Sequence, residues 1–358
     1  MNRITVDGTL YRGKELAEGH PAAFAATSPF HHKLYLFLRE WFSPSPLLTL
    51  HTSGSTGKPK EITVHKRKML HSAAITCDFF HLGEGDRALL CLPLEYIAGK
   101  MMVVRALYAG LDLMVVEPSG HPLAGITKPF DFAAMVPLQV YNSLRTDEER
   151  RELSQVGNLI IGGGAIDPAL EEALESLPNK IYSTYGMTET LSHIALRRIS
   201  GAGAGRYYTP LPGVSMRLSE EQTLIIDAPR VTDGPVVTHD VAKIRPDGSF
   251  RIIGRKDNVI NTGGIKVQVE EVERVLRPHI SGNFAITSLP HPKLGEALVL
   301  LIGPEANPDR TREVVAECLP RVRQPLHILV VEAIPLTGSG KTDRAAVKKL
   351  AGYRLPLL

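Results

Sequence analysis

The sequence predicts an α/β fold in which a large N-terminal α/β domain with a barrel-like subdomain is followed by a small α+β C-terminal domain. Short apolar runs alternate with amphipathic helical stretches between residues 67 and 253, which is typical of a mostly parallel sheet. A charged, turn-forming segment at 254–258 then precedes a stretch of different texture. The predicted domains are therefore residues 1–256 and 257–358.

Each predicted element follows from apolar spacing and turn residues. The first domain has strands predicted at 87–92, 112–116, 132–137, 158–161 and 180–185, and helices at 99–109 and about 168–176. From about residue 213, short strands between turn signals predict an antiparallel or barrel-like region. The second domain has a helix predicted at 269–277, a hairpin across 289–295, a helix at 309–319, a strand at 326–332 and a helix at 343–351.

Composition limits the class of function. The 358 residues are 43% apolar and carry a net charge of +3 without a basic stripe or patch, which argues against nucleic-acid binding. Neither a signal peptide nor a membrane span is evident, so we expect no membrane insertion. The three cysteines are far apart and form no metal or disulfide pattern, which favours a reduced, cytoplasmic setting.

The segment Leu50–Lys60 is a short polar loop suited to binding phosphate. Its glycines allow the backbone N–H groups to approach an anion, and hydroxyl groups and a lysine add donors and charge. It is not a Walker A loop, because its glycines are too close together. Flanking apolar runs at 46–50 and 61–64 predict strand, anion loop, strand, whereas a serine-rich linker is the alternative. The candidate phosphate ligands are Thr52, Ser53, Ser55, Thr56 and Lys60.

Six further motifs follow the loop, and their order is more informative than any one of them. They are Gly162–Ala165, Tyr185–Glu189, Thr238–Asp240, Gly254–Asp257, Thr262–Gly264 and Pro335–Arg344. From about residue 46 to 346, this series resembles the adenylate-forming superfamily of acyl-CoA synthetases, nonribosomal adenylation domains and luciferases. The resemblance implies an enzyme that uses ATP and Mg²⁺ to activate a small carboxylate and then transfers it to CoA.

Activation of a carboxylate by ATP requires neutralisation of phosphate charge and a pocket for adenosine. Glu189 is a hard oxygen ligand that suits Mg²⁺, and Thr188 can donate to the α-phosphate. The resemblance implies that adenine lies in a slot between a backbone shelf and an aromatic ring. The residues of this slot are Gly162, Gly163, Gly164, Ala165, Tyr185 and Gly186.

Three more residues match positions that handle ribose or catalysis in the superfamily. Asp240 and Arg255 match the ribose-binding carboxylate and guanidinium, with a surface ion pair as the alternative. His239 replaces the usual preceding glycine, which is a departure from the pattern. Lys341 matches the catalytic lysine that reaches between the carboxylate and the α-phosphate.

The resemblance also implies a mobile C-terminal domain. Asp257 matches the hinge about which that domain turns between two active states, although a helix-capping aspartate is the alternative. Gly263, Gly264 and Lys266 would then border the channel for the thiol arm of CoA.

The segments 92–99 and 185–193 look like those of the o-succinylbenzoate–CoA ligases of menaquinone biosynthesis. Tyr96, Arg105 and His193 are the candidate contacts to the acyl substrate. Arg105 lies in an otherwise apolar helix, where a charge is costly unless paired, and a second substrate carboxylate could be its partner. The alternatives are an arginine on the solvent face or one paired with a protein acid such as Glu95.

Two departures and two other function classes remain open. Glu95–Tyr96 replaces the aromatic–histidine step that is usual in the superfamily. The predicted phosphate loop also comes early, which implies that the N-terminal subdomain is absent or condensed. A homodimer would then cover the sheet that such a subdomain leaves exposed. One alternative is an adenylating enzyme that loads a carrier protein, and it would be recognised by an acyl-adenylate that free CoA does not discharge. A nucleotide-binding subunit without turnover is disfavoured by the joint presence of five residues, namely Thr188, Glu189, Asp240, Arg255 and Lys341.

Overall fold

The computed structural model describes residues 2–20, 22–51, 61–337 and 342–355. The chain divides into two compact units. The first comprises Met1–Met216, Ile226–Val236 and Pro246–Ser249, and the second comprises Arg217–Ile225, Val237–Arg245 and Phe250–Leu358. The domain boundary predicted after residue 256 stays a prediction, as does the homodimer.

The helices have the lengths of ordinary globular helices. They are α1 (Gly13–Ala17), α2 (Pro29–Phe42), α3 (Lys66–Phe80), α4 (Ile97–Ala109), α5 (Pro137–Ser143), α6 (Asp147–Ser154), α7 (Pro168–Glu175), α8 (Val269–Leu276), α9 (Pro308–Cys318) and α10 (Arg344–Arg354). Short 3₁₀ turns occupy Ala23–Ala26, Thr188–Thr190, Lys256–Asn258 and Arg321–Arg323. Within the described residues, none of the helices is long and apolar enough to cross a membrane.

The strands of the first unit are β1 (Arg3–Val6), β2 (Thr9–Arg12), β3 (Leu47–His51), β4 (Glu61–His65), β5 (Arg87–Leu90), β6 (Asp112–Val115), β7 (Phe132–Met135), β8 (Asn158–Ile161), β9 (Lys180–Gly186), β10 (His193–Arg198) and β11 (Thr209–Pro210). The remaining strands are β12 (Ser215–Leu218), β13 (Thr223–Asp227), β14 (Val236–Ile244), β15 (Phe250–Arg255), β16 (Val259–Thr262), β17 (Ile265–Gln268), β18 (Phe284–His291), β19 (Gly295–Ile302) and β20 (His327–Val330).

A nine-stranded sheet forms the centre of the first unit, with the order β11-β10-β9-β8-β7-β5-β6-β1-β2. The six strands from β9 to β1 in this order pair parallel, and antiparallel strands lie at both edges. The parallel strands are almost continuously buried, as expected when helices cover both faces. The predicted mostly parallel sheet is therefore confirmed.

The N-terminal hairpin adds two strands to this sheet. β1 pairs parallel with β6 through Thr5 and Val6, and β2 pairs antiparallel with β1. No strand was predicted here, although Asp7–Gly8 between the two strands is a local hairpin signal. The parallel pairing of β1 with β6 joins residues far apart in the sequence and has no such signal. The hairpin therefore covers the edge of β6, the kind of exposed edge for which a homodimer was considered.

The second unit contains an α+β core. Its five-stranded sheet has the order β17-β16-β19-β18, with β20 parallel to β19. The inner faces of α8 and α9 pack apolar side chains such as Val272, Leu276 and Val314 against strand residues such as Leu300. The predicted helices, the hairpin between β18 and β19 and the last strand are confirmed within a few residues.

A further four-stranded sheet has the sequential order β12-β13-β14-β15. β14 and β15 pair antiparallel, with Asp240 opposite Arg255. The change to short antiparallel strands after residue 213, predicted from turn signals, is confirmed.

Candidate active site

Two predicted motifs meet at the carboxyl edge of the large sheet. β8 and β9 are parallel neighbours in which Ile161 lies opposite Ser183. Both strands therefore end at the same edge. Gly162–Ala165 follows directly from β8, and Tyr185–Glu189 begins in the last two residues of β9 and continues beyond it. Ligands in open α/β sheets bind beyond the carboxyl ends of the strands. The structure thus brings the predicted adenine shelf and the predicted Mg²⁺ ligand to one edge.

The glycines of the shelf have a steric reason to be glycine. A Cβ on Gly162 would lie 2.5 Å from the Oγ1 of Thr184, and Gly163 has a φ of 81°, which side chains rarely adopt. Gly164 has no comparably close neighbour. A backbone surface without side chains therefore lies beside the end of β9 at Gly162 and Gly163.

Tyr185 packs against an aromatic and ionic cluster that the sequence did not reveal. Its ring centroid lies 5.9 Å from that of Tyr208, whose hydroxyl hydrogen-bonds the Oγ of Ser183 at 2.8 Å. The Arg197 guanidinium stacks on the Tyr208 ring and is held by two bonds to Glu171, at 2.5 and 2.9 Å. Burial opposes ionisation of Arg197, but Glu171 outweighs it and raises the arginine pKa. This cluster fixes the orientation of the Tyr185 region.

The loop after β9 is a tight turn closed by its own hydrogen bonds. The Oγ1 of Thr190 accepts from Met187 N at 3.0 Å and lies 2.8 Å from the carbonyl of Ser192. Leu191 has a φ of 63°, a left-handed conformation that costs a non-glycine residue free energy and is common at functional loops. Such strain is consistent with a loop whose geometry matters for binding.

Glu189 is exposed and Thr188 is half-buried on this turn. Within the described residues, no cluster of three or more His, Cys, Asp or Glu side chains could hold a metal ion. Mg²⁺ commonly takes one or two carboxylates and completes its shell with phosphate oxygens and water. A single exposed carboxylate therefore fits a Mg²⁺ ion that arrives with a nucleotide.

Gly186 allows the two strands of this hairpin to approach closely. A Cβ there would lie 2.3 Å from the carbonyl oxygen of Ser192 and 2.6 Å from the Cα of His193. Both are backbone atoms that cannot rotate away.

We expect Gly186→Ala to lower the free energy of unfolding by about 1–3 kcal/mol, the range for overpacking. Activity should fall further than stability, because Tyr185 and Glu189 flank the displaced backbone. Chemical denaturation and a pyrophosphate-release assay measure the two effects. Gly234→Ala is the matched control, since a Cβ added there would have no atom within 4 Å of it. Equal effects of the two substitutions would contradict the prediction.

Arg105 is buried in the middle of α4, with 2% of its surface exposed. Its Nη2 donates to the Oγ of Ser192 at 2.6 Å, and, among the residues that the structure describes, the one hydrogen-bond partner of its Nη1 is the thioether of Met102 at 3.6 Å. Its Nε is buried without a hydrogen-bond partner in the described part of the chain. The guanidinium carbon also lies 5.9 Å from the ring centroid of Phe132. All of these neighbours are uncharged.

The charge of Arg105 is not compensated within the described residues, where no carboxylate forms an ion pair with it. The nearby Cys77 thiol is neutral, because burial raises its pKa to about 12. Burial lowers the pKa of Arg105 to about 10, which still leaves the guanidinium charged at neutral pH. The site therefore holds an isolated buried cation.

Both alternative interpretations of Arg105 are wrong. The side chain does not lie on a solvent face, and Glu95 instead pairs with Lys33 at 2.5 Å. Tyr96 lies at the N-cap of α4 and is 43% exposed. It is about 13 Å along the helix axis from Arg105, at roughly 1.5 Å per residue. The structure thus does not bring Tyr96 to the guanidinium.

His193 lies close to Arg105 and is 7% exposed. Its Nδ1 lies 3.3 Å from the Oγ of Ser192, and its Nε2 lies 3.2 Å from the Oγ1 of Thr76. Burial, and then the Arg105 charge, hold the pKa of His193 well below its usual 6.5. The imidazole is therefore neutral at neutral pH.

This lowered pKa predicts acid destabilisation. The unfolded chain takes up a proton on His193 near pH 6.5, whereas the folded protein resists it until well below that pH. The stabilising contribution is therefore complete above pH 6.5 and is lost as the pH falls toward the folded pKa. We expect the difference in unfolding free energy between the protein and His193→Asn to shrink by up to about 1.4 kcal/mol per pH unit. Denaturant titrations from pH 7.5 to 5 test this, and parallel profiles would contradict it.

In the second unit, Arg255 links two predicted site residues. Its Nη1 donates to Asp240 at 3.2 Å, and its Nη2 donates to Asp257 at 3.1 Å. His239 also contacts Asp257, at 2.8 Å. Burial opposes ionisation of Asp257, but the hydrogen bonds from His239 and Arg255 outweigh it and lower the carboxyl pKa. The predicted ribose pair and the predicted hinge residue thus share one polar network.

Gly263 and Gly264 connect β16 to β17 as a two-residue hairpin turn. Their φ values are 57° and 81°, the positive pair required by the turn type that suits such hairpins. Lys266 is exposed on β17. The glycines therefore have a structural reason of their own, and their predicted role beside CoA stays a prediction.

Several predicted ligands lie outside the described residues, namely Thr52, Ser53, Ser55, Thr56, Lys60 and Lys341. The strands that flank the phosphate loop are confirmed, because β3 and β4 pair antiparallel from Leu47–His65 to His51–Glu61. Near Lys341, Leu336 pairs with Thr342, and Asp343 N donates to Pro335 O at 2.9 Å.

A family model described as AMP-binding enzyme matches residues 14–240. The chain belongs to this family of AMP-binding enzymes. The 2-succinylbenzoate–CoA ligase of Escherichia coli is 28% identical over 316 residues, which cover 83% of this chain and 67% of that relative. A probable 2-succinylbenzoate–CoA ligase of Mycobacterium tuberculosis is 27% identical over 367 residues, which cover 93% of each protein.

Solved structures of AMP-forming ligases have a fold similar to that of this chain. An acyl-CoA synthetase (AMP-forming)/AMP-acid ligase II-like protein from Dyadobacter fermentans is 36% identical, with a TM-score of 0.64 over 94% of this chain and 97% of that one. A variant of Escherichia coli MenE with bound OSB-AMS is 26% identical, with a TM-score of 0.68 over 86% and 69%. The predicted superfamily, its fold class and the prediction of an AMP-forming ligase are confirmed at this level.

Proposed function

We propose that this AMP-binding enzyme is an ATP-dependent acid–thiol ligase that forms o-succinylbenzoyl-CoA from o-succinylbenzoate, ATP and CoA. Membership of the family supports the AMP-forming chemistry, and the relatives named as 2-succinylbenzoate–CoA ligases support this acid. The observation that carries the choice of substrate is the buried, uncompensated guanidinium of Arg105.

An isolated buried charge is costly unless a partner arrives to pair with it. Among the described residues, Arg105 offers an unpartnered Nε and an Nη1 whose one hydrogen-bond partner is a weak sulfur acceptor. A substrate carboxylate would accept from these groups as a charge-assisted pair. Since Arg105 is 2% exposed, the surrounding side chains would have to move apart for this carboxylate to bind. An acid with a second carboxylate satisfies this site, whereas a fatty acid does not.

In the first step, an oxygen of the other substrate carboxylate attacks the α-phosphorus, and pyrophosphate leaves. Bound ATP with Mg²⁺ supplies this electrophile. Glu189 would hold the metal, and Thr188 would donate to the α-phosphate. Lys341 and the 50–60 loop would neutralise the negative charge that develops on phosphate and carboxylate.

The remaining predicted residues would bind adenosine. Gly162–Ala165 and Tyr185 would hold adenine between a backbone surface and an aromatic ring. Asp240 would accept from the ribose hydroxyls, and Arg255 would hold that carboxylate in place.

In the second step, the thiolate sulfur of CoA attacks the acyl carbon, a C–S bond forms, and AMP leaves. The residues 257–358 would turn about Asp257 to present Gly263, Gly264 and Lys266 to the thiol arm. The Arg255–Asp257 bond would have to break or adjust during this rotation.

A pyrophosphate-release panel of aryl and alkyl carboxylates, with and without CoA, tests the proposal. We expect o-succinylbenzoate to give the highest kcat/KM and to yield an acyl-CoA product. Preference for benzoate or fatty acids would overturn the assignment of o-succinylbenzoate as substrate, but the assignment as an AMP-forming ligase would still hold. An adenylate that free CoA does not discharge would favour a carrier-protein-loading enzyme. Absence of pyrophosphate release with every acid would overturn the catalytic proposal.

A further inference from the structure

A chain of polar groups runs from Arg105 into the interior of the first unit. Arg105 Nη2 contacts Ser192 Oγ at 2.6 Å, Ser192 Oγ contacts His193 Nδ1 at 3.3 Å, and His193 Nε2 contacts Thr76 Oγ1 at 3.2 Å. Thr76 Oγ1 in turn donates to the Ser72 carbonyl at 3.2 Å. The chain joins α3, α4 and the start of β10.

The Nε2–H tautomer of His193 is the one that gives every donor in this chain an acceptor, counted from its last member. The Ser72 carbonyl can only accept, so the single hydroxyl proton of Thr76 points to it. The Thr76 oxygen must then accept from His193 Nε2–H, which leaves His193 Nδ1 as an acceptor. Ser192 therefore donates its proton to Nδ1, and its oxygen lone pairs face the Arg105 guanidinium.

All members of this chain apart from Arg105 are neutral. His193 cannot share the charge, since burial and the Arg105 cation keep its pKa low. A carboxylate in the position of Ser192 would orient Arg105 equally well, but it would also neutralise the guanidinium and occupy its donors. A neutral acceptor orients the cation and leaves its charge available.

We propose that His193 and Thr76 are positioning residues for recognition of the second carboxylate, acting through the Ser192 hydroxyl on Arg105. His193 would thus orient Ser192, and through it Arg105, by accepting a hydrogen bond at Nδ1, and it would not contact the acyl group itself. This inference rests on the proposed function, because it assigns Arg105 to that carboxylate. It adds that the Nε2–H tautomer of His193 is required for full selectivity between dicarboxylic and monocarboxylic acids.

Kinetics of matched variants test the chain. Thr76→Val, Ser192→Ala and His193→Gln each remove one link, and we expect about a tenfold rise in KM for o-succinylbenzoate, the usual value of one hydrogen bond. The kcat, and kcat/KM for an analogue lacking the second carboxylate, should stay unchanged. His193→Asn should retain near-normal KM, because its amide oxygen replaces the Nδ1 acceptor.

Thr232→Val is the matched control. Thr232 is also buried, and its hydroxyl donates to the Ala228 carbonyl at 3.1 Å, as that of Thr76 does to Ser72 at 3.2 Å. We expect this variant to leave KM unchanged. Equal losses in Thr76→Val and Thr232→Val, or equal losses for both acids, would show a merely structural role and overturn the inference.

A spectroscopic measurement does not depend on activity or on folding of the variants. In protein with ¹⁵N-labelled histidine, His193 should show a protonated Nε2 and an unprotonated Nδ1 throughout pH 6.5–8. An Nδ1–H tautomer or an imidazolium in this range would overturn the inference. The outcomes also separate the two proposals. If the unmodified enzyme does not prefer the dicarboxylate, the proposed function fails, whereas preference with unaffected chain variants removes only this inference.

Discussion

Replacement of Lys341 with alanine is expected to abolish adenylation while transfer from a supplied acyl-adenylate to CoA stays largely intact. The lysine would serve only the first step, in which negative charge develops between the carboxylate and the α-phosphate. Loss of one such group commonly costs about 10²–10³ in rate or more. Pyrophosphate release measures the first step, and thioester formation from synthetic o-succinylbenzoyl-adenylate measures the second.

The neighbouring structure indicates that this variant will fold. Arg344, at the start of α10, makes two bonds to Glu273 at 2.6 and 2.7 Å, and Asp343 caps the helix through Ala346 N. These anchors do not involve Lys341. Lys349→Ala, an exposed lysine on the same helix, is the control and should retain both half-reactions. A parallel loss of both half-reactions in Lys341→Ala would show that the lysine supports the domain rather than the chemistry.

The fold was predictable wherever a local pattern determines an element. Buried parallel strands such as β7 and β8 are short apolar runs that end at turn residues, and α9 begins at Pro308 after an Asn307 cap. The parallel pairing of β1 with β6 could not be predicted in this way. It joins Thr5 to Asp112, and neither segment carries a signal for the other.

In the candidate site too, residues in local motifs could be predicted from the sequence, whereas residues brought together by tertiary packing could not. The glycines and Glu189 were predicted from the resemblance of their motifs, in order, to those of the superfamily. Ser192 and Thr76 were missed, since the bond of Ser192 to Arg105 on α4 and that of Thr76 to His193 on β10 depend on tertiary packing. Tyr208 was missed for the same reason. Arg105 was predicted from the resemblance to o-succinylbenzoate–CoA ligases and from its chemistry, because a charge in an apolar helix requires an explanation.

Arg105→Ala is expected to reduce transition-state binding of o-succinylbenzoate by about 2–4 kcal/mol, the scale for removing one partner of a buried charge pair. An analogue that lacks the second carboxylate should lose much less. The measurement is kcat/KM for both acids. Arg105→Lys keeps the charge but not the planar fork, so it should recover only part of the loss.

The same residue should oppose stability. An uncompensated buried cation costs free energy in the unliganded protein, and replacing buried ionic groups with apolar side chains of similar volume is often neutral or stabilising by about 1–4 kcal/mol. We therefore expect Arg105→Met to unfold at equal or higher denaturant concentration than the unmodified enzyme while it loses selectivity for the dicarboxylate. This combination of unchanged or higher stability with lost selectivity is expected of a residue that binds substrate and lowers the free energy of unfolding. An arginine that serves the fold would instead give a destabilised Arg105→Met variant with equal losses for both acids, because its removal would disturb the packing around α4 and not one carboxylate contact.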